Sequence, residues 1–190
     1  MSATRMLVLG VVFWAGKAHG YQLRAELLSW RADSWARVKP GSLYHALRKA
    51  VDDGMMVDSV EPGDGGPERT VYAVTPAGRV ELERLVRAGL SVPGDPTMLN
   101  AAVAMLPVLR REVAVEMLRQ RVARLRIQLA ELESWRSGGA GVKPEHVNEQ
   151  AGLWIGQTVA DLEWAEGLIE RIDGGAYTFA VGDEPPAIQI

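Results

Sequence analysis

The chain has 190 residues, 47% hydrophobic and 24% charged, which suits one or two small domains with real cores. It has no cysteine, so disulfides and thiolate metal sites are excluded, in keeping with a cytoplasmic protein. The net charge of −3 argues against a nucleic-acid partner until its distribution is considered. Residues 1–90 hold twelve Lys/Arg against ten Asp/Glu, or +2, and the remainder nine against fourteen, or −5.

The apolar run after Arg5 imitates a secretory leader, but it has one side-chain charge and no helix-breaking region behind it. We read Arg5 to Gly16 as a first helix, buried on most sides, and no stretch is long enough to span a membrane. Lys17 to Gly20 is a short turn, with His19 as a capping or packing residue. Tyr21 to Trp30 is a second helix, and Arg31 to Val38 a connector whose Trp35 plugs the base of the third helix.

From Lys39 to Met56 the pattern is that of a helix with two different sides. Pro40 suits a first helical turn, where its missing N–H costs nothing. Leu43, Leu47 and Ala50/Val51 form one apolar stripe. The opposite side carries Gly41, His45, Arg48 and Asp52, flanked by Ser42, Tyr44 and Lys49, and Gly54 supplies a stop. Alone, this pattern also suits an ordinary surface helix. Its surroundings favour more. Met55 to Val60 and Arg69 to Val74 are β-prone runs around the polar tip Glu61 to Glu68, which reads as a loose hairpin. Three helices and then a two-stranded wing are the order of a winged helix-turn-helix. The glycines of the tip lack the Gly-Lys-Ser/Thr ending of a phosphate loop. Glu61, Asp64 and Glu68 would repel a DNA backbone, leaving Arg69 as the wing's phosphate contact. Thr75 as N-cap and Pro76 at the first position open a fourth helix.

Four short segments succeed one another at fitting distances: His19-Gly20-Tyr21-Gln22-Leu23, Pro40-Gly41-Ser42-Leu43-Tyr44, Gly54, and Tyr72-Ala73-Val74-Thr75-Pro76-Ala77-Gly78. Together they resemble the PadR family of bacterial transcriptional repressors, over roughly residues 5 to 88. The sequence departs from the family at Ala50 and Val51, where a Leu and an acidic residue are usual. It departs again at Pro67-Glu68-Arg69-Thr70, with one basic residue where two or three are common. The resemblance implies a DNA-binding homodimer held by C-terminal helices and responsive to a small aromatic effector.

Past a Pro- and Gly-containing boundary at Ser91 to Pro96, the period changes. Val115, Leu118, Val122, Leu125, Leu129 and Leu132 form a heptad seam, and Arg119, Arg121, Arg124 and Arg126 read as its solvated outer face rather than as a second nucleic-acid patch, the alternative for such a cluster. After a Gly-rich break at Ser137 to Lys143, Ala151, Ile155, Thr158, Leu162, Ala165, Ile169 and Ile172 repeat the alternation. These two helices predict an antiparallel hairpin with a seam long enough to need a partner chain. The expected dimer interface is Val115, Leu118, Val122, Leu125, Leu129, Ile155, Leu162 and Ile169. Trp135, Trp154 and Trp164 are core residues or, alternatively, walls of a pocket for a planar effector.

The expectation is therefore a mainly α protein. Residues 1–90 form a winged helix-turn-helix DNA-binding domain, 91–96 a linker, 97–175 a helical dimerisation domain and 176–190 an irregular tail. Lys39, Gly41, Ser42, Tyr44, His45, Arg48, Lys49 and Arg69 would contact double-stranded DNA. His19, His45 and His146 have no nucleophile partner, and no paired-carboxylate or metal motif occurs, so neither an enzyme nor a cofactor is expected. A winged-helix protein–protein adaptor is the rival reading, favoured by the acidic wing tip.

Overall fold

The computed structural model describes residues 2–63, 66–138 and 144–180. At its centre lies α1 (Ala3–Ala15), with Met6 to Val12 all buried. Such a helix is apolar on every side because other elements cover every side. Its hydroxyl cap is Ser2, which accepts from the Arg5 N–H at 3.4 Å. Gly16, at φ +69°, ends it.

Around α1 run β1 (Ala18–His19), α2 (Gly20–Ser29), α3 (Ala32–Trp35), α4 (Pro40–Asp52), β2 (Met56–Gly63), β3 (Gly66–Val74) and α5 (Pro76–Ser91). The strands form an antiparallel sheet in the order β1-β3-β2. The wing thus has a third strand where a two-stranded ribbon and a turn were expected: Ala18 and His19 pair with Tyr72 and Val71. Two residues are too few for a sequence period. The tip is also tighter than a loose eight-residue loop, since β2 and β3 stay paired to Gly63↔Gly66, with a register shift between Glu61 and Gly63. Asp64, expected to repel DNA, falls outside the described residues.

The remaining elements are α6 (Pro96–Ala104), a 3-10 turn (Leu106–Val108), α7 (Arg111–Gly138) and α8 (Glu145–Asp173). The long helices α7 and α8 pack on each other as the expected hairpin. Helix α6 was not expected. Asp95 caps it, accepting from the Thr97 and Met98 N–H groups at 3.0 Å, and Pro96 sits in its first turn. It folds back so closely that a Cβ on Gly89 would meet Ala102 Cβ at 2.7 Å and the Met98 carbonyl at 2.8 Å. Met105 similarly fills the notch at Gly10 of α1. One apolar core therefore runs from Met6 and Leu47 through Leu82 and Leu85 into Ala102, Met105, Leu118 and Ile172.

That continuity corrects half of the expected dimer interface. Val115, Leu118, Val122 and Leu125 are buried within the single chain. Helix α7 packs on both α5 and α8, and these four side chains are at most 8% exposed, so they offer little surface to a partner. Leu129, Ile155, Leu162 and Ile169 stay partly accessible. Among the described residues no helix is long and apolar enough to cross a membrane.

Candidate nucleic-acid interface

Helix α4 is fixed at both ends by its own sequence. At the start, Ser42 Oγ accepts from the Lys39 N–H at 2.9 Å and donates to the Lys39 carbonyl at 2.8 Å. At the end, Gly54 sits at φ +70°, its N–H donates to the Val51 carbonyl, and Met55 donates to the Ala50 carbonyl. This is a Schellman stop, which needs a left-handed residue that glycine adopts without strain. Thr75 Oγ1 donates to the Gly54 carbonyl at 2.8 Å and accepts from the Gly78 N–H at 3.0 Å. Gly78 itself must be glycine, since a Cβ there would lie 1.9 Å from the Met55 carbonyl oxygen. The end of α4 and the start of α5 are one joint.

Leu43, Leu47 and Ala50 of α4 are buried, whereas Gly41, His45, Arg48, Lys49 and Asp52 are exposed, as the stripe required. A Cβ on Gly41 would meet nothing within 4 Å, so the backbone there is open to close approach. Tyr44 is half-exposed, and its ring crosses Gly20, where a Cβ would come within 2.7 Å. The segment His19 to Leu23 and the segment Pro40 to Tyr44 thus meet at one contact that requires Gly20.

Two expected contact residues have local duties. The single hydroxyl proton of Ser42 is spent on the Lys39 carbonyl, which makes it a capping residue without a proton for phosphate. Lys49 Nζ lies 3.2 Å from Asp53, whose other oxygen takes Arg5 at 2.8 Å. The hydrogen bond from Lys49, then Arg5, holds the Asp53 carboxyl below its ordinary value, against the opposing effect of burial. Arg48 has no such partner. With His45, Asp58 and Tyr72 it lines a shallow recess between α4 and the sheet. Burial first, and then the Asp58 charge, raises the Tyr72 hydroxyl above its ordinary value, so it remains a neutral donor there. On the wing, Arg69 lies over the Tyr21 ring at 5.6 Å with Nη1 at 3.5 Å from its hydroxyl, and Tyr21 stacks on His19 at 5.5 Å. His19 Nδ1 is 3.3 Å from the Thr70 carbonyl, and the His19 backbone N–H donates to Gln22 Oε1 at 2.9 Å, which is the packing role expected of it.

The charges sort by position. Arg5, Lys17, Lys49, Arg79, Arg84 and Arg87 of the first 90 residues all face a carboxylate. Among the described residues no carboxylate pairs with Arg24, Arg31, Arg37, Lys39 or Arg48. All five are exposed, and all lie between the start of α2 and the end of α4. Arg24 and Lys39 line one hollow beside Pro40. Arg24, Arg31 and Arg37 escaped the sequence reading, because pairing depends on neighbours brought by the fold. Arg31 and Arg37 also hold left-handed backbones, at φ 56° and 53°, on either side of α3. The connector is otherwise braced by Trp35 Nε1 donating to the Trp30 carbonyl at 2.9 Å.

Of the aromatic trio, Trp135 and Trp154 come together, with ring centres 5.8 Å apart, half-exposed on the hairpin. Trp164 does not join them; it packs on the core. Trp154 is also one wall of an open cleft of about 600 Å³ between α7, α8 and the α5–α6 turn. Arg121, read from the sequence as solvated, is instead buried at the bottom of this region.

Residues 8–84 match the transcriptional regulator PadR-like family. Over that span the chain is similar to that family. The solved structures similar to it include Bacillus subtilis PadR in complex with operator DNA, at 18% identity, 89% of this chain, 98% of that chain and TM-score 0.41. A protein of Streptococcus mutans UA159 matches at 18%, 92%, 98% and 0.41 on the same measures, and Bacillus subtilis PadR in complex with p-coumaric acid at 18%, 90%, 96% and 0.38. No curated protein sequence matches the chain. The matched span takes in Arg24, Arg31, Arg37, Lys39 and Arg48, and ends inside α5.

Proposed function

We propose that the chain is a cytoplasmic transcriptional repressor whose homodimer places α4 of each subunit in successive major grooves of a palindromic operator. The observation that carries this reading is the segregation of charge. A solvated, structural set of arginines would be expected to pair with the many carboxylates nearby, as the cations of α1 and α5 do. Within the helix-turn-helix Arg24, Arg31, Arg37, Lys39 and Arg48 pair with none among the described residues, Lys49 alone being held by Asp53, and such a set suits a surface that meets phosphate and releases counterions. It also resolves the −3 net charge, since the acidic excess lies beyond residue 90. In this reading Lys39, with the backbone at Gly41, meets the phosphates beside the α4 start, where the helix dipole favours an anion. Arg48 and His45 face base edges, and Tyr44 and Arg69 flank them.

Residues 1–90 form the DNA module and 97–175 the dimerisation body. The second copy would sit on the apolar surface the hairpin leaves open, with Ile127 and Leu153 exposed beside Leu129, Ile155 and Leu162. A planar aromatic effector would enter the cleft walled by Trp154, with Gln128 and Gln157 as polar groups. A protein–protein adaptor would have no reason to keep Arg48 free. Fluorescence anisotropy of a labelled duplex from upstream of the protein's own gene decides between them. The repressor binds it with a steep salt dependence and loses about 1–3 kcal/mol in Arg48→Ala. Binding absent at low salt, or indifferent to salt, would favour the adaptor.

A further inference from the structure

Helix α5 leaves the winged helix and stops at Ser91 without a glycine cap and without a basic residue in its last turn. The last carbonyls of a helix have no helical partner and need one from elsewhere. Here those of Leu90 and Ser91 are met from α7. Arg121 Nη1 donates to the Leu90 carbonyl at 3.4 Å and the Val92 carbonyl at 3.0 Å, and Arg124 Nη1 donates to the Ser91 carbonyl. The rest of the Arg121 fork faces α8, with Nε 2.7 Å from Asp161 Oδ1 and Nη2 2.5 Å from Oδ2. Its side chain is 2% exposed. One guanidinium therefore binds the negative end of the α5 dipole and a carboxylate of α8 while standing on α7.

We infer that Arg121, oriented by Asp161, is the positioning residue that sets the aim of the winged helix relative to the α7–α8 hairpin. The other end of α5 is locked to the end of α4 through Thr75, Gly54, Gly78 and Met55. So α5 is a rigid lever between the recognition helix and the Arg121 joint. At 1.5 Å per residue its sixteen residues span roughly 24 Å, and a tilt of about 10° at the joint moves the far end by about 4 Å. That is close to the ~3.4 Å step of one base pair. In a dimeric repressor, on which this consequence rests, the joint fixes the half-site spacing the two heads accept. A lysine cannot take the role, since one ammonium lacks the fork that faces carbonyls and carboxylate together.

The chain has no cysteine, so two can be introduced for spin labels, at exposed Ala25 of α2 and Ala130 of α7. Labelled chains diluted in unlabelled protein report the distance within one chain by pulsed dipolar spectroscopy. With Arg121 and Asp161 intact, a single narrow distribution is expected. Asp161→Asn and Arg121→Lys should broaden or shift it by about 3 Å or more, and Asp161→Glu should recover part of the width. A distribution as narrow and as placed as the parent's in folded Asp161→Asn would overturn the inference. Where Arg121→Lys fails to fold, as seen by circular dichroism, Arg124→Gln frees only the Ser91 carbonyl. It should broaden the distribution less, and no change there would again count against the joint. The consequence for DNA is read separately. One base pair inserted between half-sites should weaken the parent about tenfold and Asp161→Asn clearly less. If the parent binds no DNA, the repressor reading fails while the distance result stands; if both proteins lose equally, the joint does not set spacing.

Discussion

Arg37 offers a test in which stability and binding should move in opposite directions. It sits between α3 and Lys39 with φ 53°, a left-handed backbone that costs most L-residues roughly 1–2 kcal/mol and that asparagine adopts more readily. Its side chain is exposed and has no carboxylate partner among the described residues, so Arg37→Asn removes no ion pair that the fold uses. The variant should match or exceed the parent by up to about 1 kcal/mol, which is roughly 2–4 °C in Tm for a chain of this size. Binding should fall. Each lost phosphate contact lowers the slope of log K against log salt by about 0.9, worth roughly a factor of five at 0.15 M, so the two contacts of a dimer together are worth roughly 30-fold. Thermal melts and salt titrations of operator binding read both quantities on one preparation. A variant that melts lower and binds as well as the parent would refute the reasoning on both counts, making Arg37 a structural residue.

The same geometry sets three further expectations. Gly41→Ala has free space for its Cβ inside the protein, so the fold should hold or gain slightly in α4 propensity while DNA affinity drops, as gel retardation beside a melt would show. Lys49→Gln should weaken DNA binding less than Arg48→Ala, because Lys49 is engaged with Asp53. It should also change the acid limb of stability. The folded pKa of Asp53 is depressed below its ordinary 3.8, so the contribution of the pair is full above that value and lost as pH falls through the folded value; melts of parent and variant should differ at pH 7 and converge in strong acid. Leu118→Ala should cost about 2–5 kcal/mol as a core cavity and leave the oligomeric state of the folded protein unchanged, whereas Leu153→Asp, on the exposed side of α8, should shift sedimentation toward monomer with little change in stability.

Much of the helix-turn-helix was legible because its rules are local. The Gly54 stop, the Thr75 cap and the two-sided pattern of α4 depend on residues within a turn or two of one another. Gly20 and Gly78 were recognisable as parts of a family pattern, but their reasons, the Tyr44 ring and the Met55 carbonyl, are contacts between distant segments. What was missed is non-local or ambiguous. Asp95-Pro96 marks a helix start as well as a linker, and the composition around it favoured the linker, so α6 was overlooked. Arg121 falls on the same face of α7 as Ala114 and Leu125, yet its charge assigned it to solvent; its burial depends on Asp161, 40 residues away in the chain, and on the open end of α5. The heptad seam was real, but a period cannot say whether the covering surface belongs to the same chain. Here α5 and α8 supply it for Val115 to Leu125.

The central claim is that α4 enters DNA as one of a two-fold pair, and hydroxyl-radical footprinting upstream of the protein's own gene tests it most directly. The account predicts two protected patches on one side of the duplex, centred about 34–36 Å apart, both lost in Arg48→Ala at moderate salt. A uniform, sequence-independent protection, or none at protein concentrations where the chain is folded and dimeric, would contradict it.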